Sequence, residues 1–314
     1  MAQLQPLAAI QQHVWDARLP LEVRLAPSEC RTYDQADPYL IAWPRISYIP
    51  LLLARLHSFF SPLLIVDPEE LTPDAGYFTY DGVPLKWHLP LGLLYDLHVL
   101  SVGDSTADQP IADSIPFRLT LHYTPDSASA HVNLINPDPV RMHDFFINAV
   151  KEADFLRSGT AKPIMSLSAA DSKALWASTQ DNDLTVFAKI HQSLLPSAGQ
   201  LRNVPLRIYL PMPPEESESA AQMRVLQAQV SPTLPLQPGA TAAQARAAST
   251  GQPQTLGTAL HNLIPDLFPS RRTPILARPI LHGAPIALTA NLEDLTKWAC
   301  YADGWIHVVV AINH

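Results

Sequence analysis

The stretch GYFTYDGVPLKWHLPLGLLYDLH, residues 76–98, sets Asp81-Gly82 between an aromatic run (Tyr77, Phe78, Tyr80) and a second β-prone run (Val83, Leu85, Trp87). Asp-Gly suits a two-residue hairpin turn, because both central residues of a type I′ turn take positive φ. A hairpin is therefore expected here. Upstream, residues 45–60 carry Ile46, Ile49, Leu52, Leu53, Leu56, Phe59 and Phe60 in a helical stripe that ends before Pro62. Before that, LPLEVRLAP (19–27) alternates Leu21, Val23 and Leu25 with Glu22 and Arg24, as a half-buried strand does. Downstream, PFRLTLHY (116–123) alternates in the same way. The order is strand, helix, hairpin, strand, a compact α+β unit.

The last third repeats that order. NVPLRIYLP (203–211) reads as a strand, TLGTALHNLIPDLF (255–268) as a helix, PILHGAPI (279–286) as a second hairpin around His282-Gly283, and WIHVVVAI (305–312) as a buried strand. Strand, helix, hairpin, strand is the order of a ubiquitin-like β-grasp unit. Between the two units, Asp138-Pro139 reads as an N-cap followed by proline at the first helical position, and Ser168 to Asp171 as a capping box, giving a helical module over 139–196. LQPLAAIQQHVWD (4–16) has apolar residues at helical spacing and needs a partner surface to be stable. The expected organisation is an N-terminal helix at 1–14, a first ubiquitin-like domain at 15–135, a helix-rich domain at 136–198, and a second ubiquitin-like domain at 199–314. The segment 231–254, rich in Pro, Ala, Ser, Thr and Gln, reads as a flexible insertion in the last of these.

Composition narrows the function. A 314-residue chain that is 47% hydrophobic supports packed cores, and its 31 prolines must concentrate in loops and boundaries. A formal net charge of -8 lacks the basic footprint of a nucleic-acid binder. No run of 18 apolar residues suggests a membrane span, and no signal-peptide pattern opens the chain, so a cytoplasmic location is expected. Cys30 and Cys300 match no zinc or redox spacing.

P-loop, GxGxxG, GxSxG and HExxH motifs are all absent, and no catalytic residue, cofactor or metal site is expected. His88, His98, His122 and His131 lie in or near strand segments and read as hydrogen-bonded or surface histidines. Asp67, Glu69 and Glu70 read as a solvated turn. Trp87, Trp298 and Trp305 read as core or groove-lining residues. Cys300 in TKWACYADGW is the one residue that could carry a thioester; a reactive thiol needs a depressed pKa, and its apolar neighbours read instead as a buried structural site.

The chain has six lysines against fifteen arginines, and Lys151 in AVKEADFLR (149–157) sits mid-helix beside Glu152 and Asp154. At ~100° per residue, Met142, Phe146, Ala149, Ala153 and Leu156 form one stripe and Lys151 falls opposite it, framed at i-4 and i+4 by Ile147 and Phe155. Lys151, Ile147 and Phe155 are thus expected to share an exposed contact face. Neighbouring acids favour the charged ammonium, so Lys151 is a poor catalyst. It reads either as a solvated helix lysine or as an acceptor that another enzyme modifies.

The segment GYFTYDGVPLKWHLPLGLLYDL resembles the most recognisable signature of the autophagy protein 5 family. VWDARLPLEVRL, PRISYIPLLL, VKEADFLR, LWASTQDND, VPLRIYL and ADGWIHVVV fall in that family's order around it, over nearly the whole chain apart from the 231–254 insertion and the loop around Gly159. The resemblance implies two ubiquitin-like domains flanking a helix-rich domain. It also implies that Lys151 receives the C-terminal glycine of the ubiquitin-like modifier autophagy protein 12 as an isopeptide bond; the helix-wheel reading adds Ile147 and Phe155 as a candidate modifier-contact surface. It further implies non-covalent binding of the N-terminal helix of autophagy protein 16; this chain's own N-terminal helix and both ubiquitin-like domains are expected to make the groove for it. The assembly would act like a ligase with the conjugating enzyme of autophagy protein 8, promoting its transfer to phosphatidylethanolamine, peripherally on the preautophagosomal membrane. The rivals are a cysteine-dependent conjugating enzyme using Cys300 and a purely non-covalent adaptor.

Overall fold

A computed structural model describes residues 4–31, 37–67, 70–100, 114–124, 138–197, 199–211, 223–234 and 252–313. Glu69, His131 and positions 235–251 of the insertion lie outside the described residues. At the insertion's flanks Thr233 bridges Pro253, and Leu234 N–H donates to Gln252 O at 2.9 Å.

Each β-grasp unit is a five-stranded mixed sheet. The first contains β1 (Arg18–Leu25), β2 (Tyr39–Pro44), β3 (Tyr77–Tyr80), β4 (Val83–Pro84) and β5 (Phe117–His122), in the order β2-β1-β5-β3-β4. The second contains β6 (Val204–Pro211), β7 (Met223–Val230), β8 (Ala277–Leu281), β9 (Ala284–Pro285) and β10 (Ile306–Ile312), in the order β7-β6-β10-β8-β9. Both sheets place their first and last strands side by side and parallel. Both expected hairpin turns form: Asp81 and Gly82 have φ of 47° and 77°, and His282 and Gly283 have 53° and 85°. The two positive angles in each pair are those of a type I′ turn.

The helical stripe expected over 45–60 is shorter in the fold. A 3-10 turn spans Ile49–Leu52 and helix α2 spans Leu53–Phe60, following α1 (Leu4–Asp16) in the chain. The preceding backbone is committed elsewhere: Arg45 N–H donates to Ala17 O, while Arg45 O and Ser47 O accept from Gly92 and Leu91. Pro50 also disfavours an α conformation at Ile49. Among the elements not anticipated are edge strands β2 and β7, helix α3 (Leu91–Tyr95) with its π-turn extension Asp96–Leu100, and the helix Leu292–Trp298. β2 is a nearly continuous apolar run, which carries no period-two signal.

The helical module consists of α4 (Pro139–Ser158), α5 (Lys162–Met165), α6 (Ala169–Asp181) and α7 (Leu184–Leu194). Its core joins Met142, Phe146, Val150, Leu175, Trp176, Phe187 and Ile190 to Trp15 of α1 and Tyr48 of the first unit. The buried residues of the two sheets form one contiguous cluster, from Leu19 through Ala311. The two ubiquitin-like units are also clamped by polar contacts. Arg45 pairs with buried Asp96, whose second oxygen accepts from Gly283 N–H at 2.9 Å across the domain boundary. Burial raises the Asp96 carboxyl to about 6, with Arg45 acting in the opposite direction.

Candidate functional site

Helix α4 is held at both ends by local chemistry. The Asp138 side chain accepts from Arg141 N–H at 2.8 Å, and Pro139 occupies the first turn, where its missing donor costs nothing. At the other end Gly159 takes φ 75° and its N–H donates to Phe155 O. A Cβ at Gly159 would lie 1.9 Å from Arg202 Nη1, so a side chain there meets an unfavourable backbone conformation and must also displace the Arg202 guanidinium.

Along its length α4 is buried on two sides. One side supplies Met142, Phe146, Ile147 and Val150 to the module core. The other presents Ala149 and Ala153 to Trp305 of the second ubiquitin-like unit, whose indole N–H donates to Ala149 O at 2.9 Å. Two small residues one turn apart let the large ring approach the helix backbone. At ~100° per residue the buried positions, from Ala149 round to Ile147, span an arc of about 160°.

Lys151 lies at the margin of that arc and is partly exposed. Among the described residues its ammonium has no ion pair and no hydrogen bond. Its acidic neighbours are engaged elsewhere. Glu152 accepts from Arg207 Nη2 at 2.7 Å, and Arg207 lies over the Trp305 ring at 3.8 Å. Asp154 is buried and accepts from Ile164 N–H at 2.9 Å, with burial raising its carboxyl above the usual range. The lysine-bearing turn is therefore pinned to β6 while the lysine itself stays unengaged.

The contact face differs from the sequence expectation at one residue. Phe155 is 55% exposed, but Ile147 is only 9% exposed and belongs to the module core, so it does not frame the lysine. Ile147 lies only ~40° from Lys151 on the wheel, towards the side that α4 buries under the module. The outward surface instead carries Asp144, Phe145, Asn148, Lys151, Glu152 and Phe155. Phe145 packs edge-on against Trp87 at 5.6 Å and lies tilted against His88 at 4.4 Å, extending the face onto the first unit.

Arg157 and Cys300 meet in the interior. Arg157 is fully buried, 3.4 Å from His191 Nε2, and Cys300 Sγ approaches the same nitrogen at 3.5 Å. Burial pushes the Cys300 thiol up to about 12, against a smaller lowering by Arg157, and holds His191 down at about 3. Burial thus disfavours thiolate at Cys300 and imidazolium at His191 alike, the opposite of the setting a reactive cysteine needs. Sequence reading missed this network because Arg157 and Asp154 sit on polar-looking positions; their places in the buried arc were the available signal.

The other weighed residues fall as follows. His88 and His98 are both lowered to about 4 by burial, and His122 stacks on Tyr77 at 4.9 Å. Among the described residues no group of three His, Cys, Asp or Glu side chains could hold a metal ion. Trp305 is fully buried, and Trp87 and Trp298 are partly buried.

A cavity of ≈ 30 Å³ lies between the two ubiquitin-like units, lined on one side by Leu89, Leu94 and Leu97 and on the other by Tyr209, Met223 and Val225. No residue of α1 lines it; α1 instead packs against the helix Leu292–Trp298 and places Trp15 4.6 Å from Phe187.

Comparison with known proteins follows the same three parts. Residues 14–123 match the family described as "Autophagy protein ATG5, UblA domain", residues 140–197 "Autophagy protein ATG5, alpha-helical bundle region", and residues 203–310 "Autophagy protein ATG5, UblB domain". The chain is 50% identical over 309 residues to "Autophagy protein 5" of Aspergillus terreus, covering 96% of each chain. It is 40% identical over 326 residues to "Autophagy protein 5" of Phaeosphaeria nodorum, covering 99% of each. The fold is similar to that in "Crystal structure of Kluyveromyces marxianus Atg5", with a TM-score of 0.72, 18% identity, and coverage of 96% of this chain and 98% of that one.

Proposed function

Because the chain belongs to the autophagy protein 5 family, we propose that Lys151 is the acceptor through which the protein is joined covalently to the ubiquitin-like modifier autophagy protein 12. The supporting observation is the setting of Lys151: a partly exposed, unpaired ammonium on a turn that Arg207, Glu152 and Trp305 hold rigid. The chemistry is attack of the deprotonated Nζ on a thioester carbonyl carried by the conjugating enzyme. The C–N bond forms as the C–S bond breaks, the enzyme's sulfur leaves as thiolate, and the proton from nitrogen passes to solvent. Deprotonation is left to the conjugating enzyme, and the protein itself contributes a positioned nucleophile and no catalytic residue.

The partner side of the proposal uses the cleft between the two ubiquitin-like units as the seat for the N-terminal helix of autophagy protein 16, with the part-exposed Met223 and the exposed Val225 among the contacts. The assembly promotes ligase-like transfer of autophagy protein 8 to phosphatidylethanolamine. In this reading the protein is cytoplasmic and reaches the preautophagosomal membrane peripherally, through the complex. No helix among the described residues is long and apolar enough to cross a membrane.

Denaturing, reducing electrophoresis tests the acceptor assignment. Wild type and Lys151→Arg are incubated with the modifier, its activating and conjugating enzymes and ATP. A thiol-resistant shifted band is expected for wild type alone. The same band in the variant would move the acceptor to another lysine; a band that thiol removes would point to a thioester at Cys300; folded protein with no band would leave a non-covalent adaptor. Val225→Asp on the exposed edge of the cleft is expected to abolish co-elution with the partner helix while leaving conjugation intact.

A further inference from the structure

β2 is the outer strand of the first sheet, and among the described residues no strand pairs with its far side. The hydrogen bond from Arg45 N–H to Ala17 O at 3.0 Å fixes residues 17 and 45 as a bonded pair. Bonded and non-bonded pairs alternate along an antiparallel ladder, so with the observed register Trp43, Ile41 and Tyr39 exchange bonds with Leu19, Leu21 and Val23. The N–H and C=O groups of Leu40 and Ala42 consequently face the open side. The one described contact there is a loose donation from Arg18 Nη1 to Ala42 O at 3.4 Å.

Natural edges are usually blunted by a charge, a bulge or an interior proline. β2 carries no charged side chain, its proline stands at the strand's end, and Leu40 is 67% exposed. The flank of the edge is apolar too. Tyr39, Ile41 and Trp43 are partly exposed beside α2, where Phe59, 42% exposed, packs edge-on to Tyr39 at 5.0 Å. Arg55 lies 5.9 Å over the Trp43 ring and has no carboxylate partner among the described residues.

We infer that the β2 edge and the flank of α2 form a docking site for an extended, acidic peptide segment of another protein, bound by strand addition. The open Leu40 and Ala42 amides supply main-chain bonds. Apolar side chains at alternate peptide positions lie against Tyr39, Ile41 and Phe59, and a carboxylate pairs with Arg55 at the Trp43 end. This is the usual division of labour in strand addition, where the backbone gives affinity and alternate side chains give specificity. Charge favours this occupant over a second copy of the chain: β2 itself carries no acid to answer Arg18 and Arg55, and a self-pairing would offer them Asp37, two residues before the strand, in place of the peptide's adjacent carboxylates. The site is separate from Lys151 and from the cleft between the domains, and does not depend on either.

The test uses the full chain, isotope-labelled, titrated with the capped peptide Asp-Asp-Ile-Thr-Val-Thr-Val. Binding in the range of about 10–100 μM is expected, with the Leu40 and Ala42 amides shifting and gaining protection from exchange. Arg55→Glu, or replacement of the two aspartates by lysines, is expected to weaken binding at least about tenfold, and N-methylation at alternate peptide positions to abolish it. Ala42→Pro, which removes an outward donor, should also abolish it; should that variant fail to fold, Arg55→Glu and the N-methylated peptide still decide. Silent Leu40 and Ala42 amides, affinity indifferent to the charge reversals, or concentration-dependent dimerisation that occupies β2 in place of the peptide would each overturn the proposal.

Discussion

Arg207 on β6 donates to Glu152, the residue next to Lys151 on α4, at 2.7 Å, joining positions 55 apart in the chain. Its guanidinium also covers Trp305, so one side chain fixes the lysine-bearing turn to the second ubiquitin-like unit. Glu152 is more than half exposed, so the ion pair itself is worth little and the stacked ring carries much of the contact. Arg207→Ala is expected to cost about 1 kcal/mol in denaturant unfolding, and to slow conjugation at Lys151 more than Glu152→Ala does. Equal conjugation rates in Arg207→Ala and wild type would show that the turn needs no pinning.

The lysine's two apolar neighbours should respond in opposite ways. Ile147→Ser places a hydroxyl in the module core and is expected to destabilise by about 2–4 kcal/mol. Phe155→Ser, on an exposed position, should stay within about 0.5 kcal/mol of wild type and change only how the conjugated modifier rests on the protein. Thermal unfolding of the two variants measures the first difference, and limited proteolysis of the conjugates the second.

Gly159→Ala must place its Cβ against Arg202 at positive φ, and is expected to destabilise by about 1–3 kcal/mol. Gly199→Ala also has positive φ, 77°, but meets nothing within 4 Å. The difference in melting temperature between the two variants separates the steric cost from the conformational one.

His191 is held down at about 3 by burial, with Arg157 adding to the effect. Its folded pKa lies below the unfolded value near 6.5, so its contribution to stability is present above that value and is lost as pH falls towards 3. At pH 5 the loss attributable to this residue is about 2 kcal/mol. Denaturant titrations of wild type and His191→Gln at pH 7.5, 6 and 5 should show a smaller acid-side decline in the variant; parallel declines would mean that His191 titrates alike in the folded and unfolded chain.

Cys300 should behave as a core residue. Maleimide labelling of folded protein is expected to leave Cys300 unmodified until denaturant exposes it, whatever happens at the half-buried Cys30. Rapid native labelling at Cys300 would revive a thioester mechanism.

Both β-grasp units were legible because their signals are local. An Asp-Gly or His-Gly turn between apolar runs, an alternating strand and a proline-bounded helix each report on a few adjacent residues. The edge strands were not legible, because β2 has a run of apolar residues in place of alternation and β7 follows a segment poor in bulky apolar residues. At the candidate site, wheel geometry put Lys151 outside the main stripe and Phe155 on the surface. It placed Ile147 wrongly because it counted one buried side of α4 where there are two.

By itself the sequence determined the two strand, helix, hairpin, strand units, the helical module between them, and the lysine to examine. Each follows from periodicity, turn chemistry or motif order within short windows. The tertiary structure alone decided what surrounds that lysine: the burial of Ile147, Asp154 and Arg157, the diversion of Glu152 to Arg207, and the enclosure of Cys300 beside His191. A helix wedged between two domains buries a second face through small residues and long-range polar pairs. Ala149 and Ala153 under Trp305, or Arg207 reaching Glu152, leave no periodic trace in the chain because their partners come from far along it.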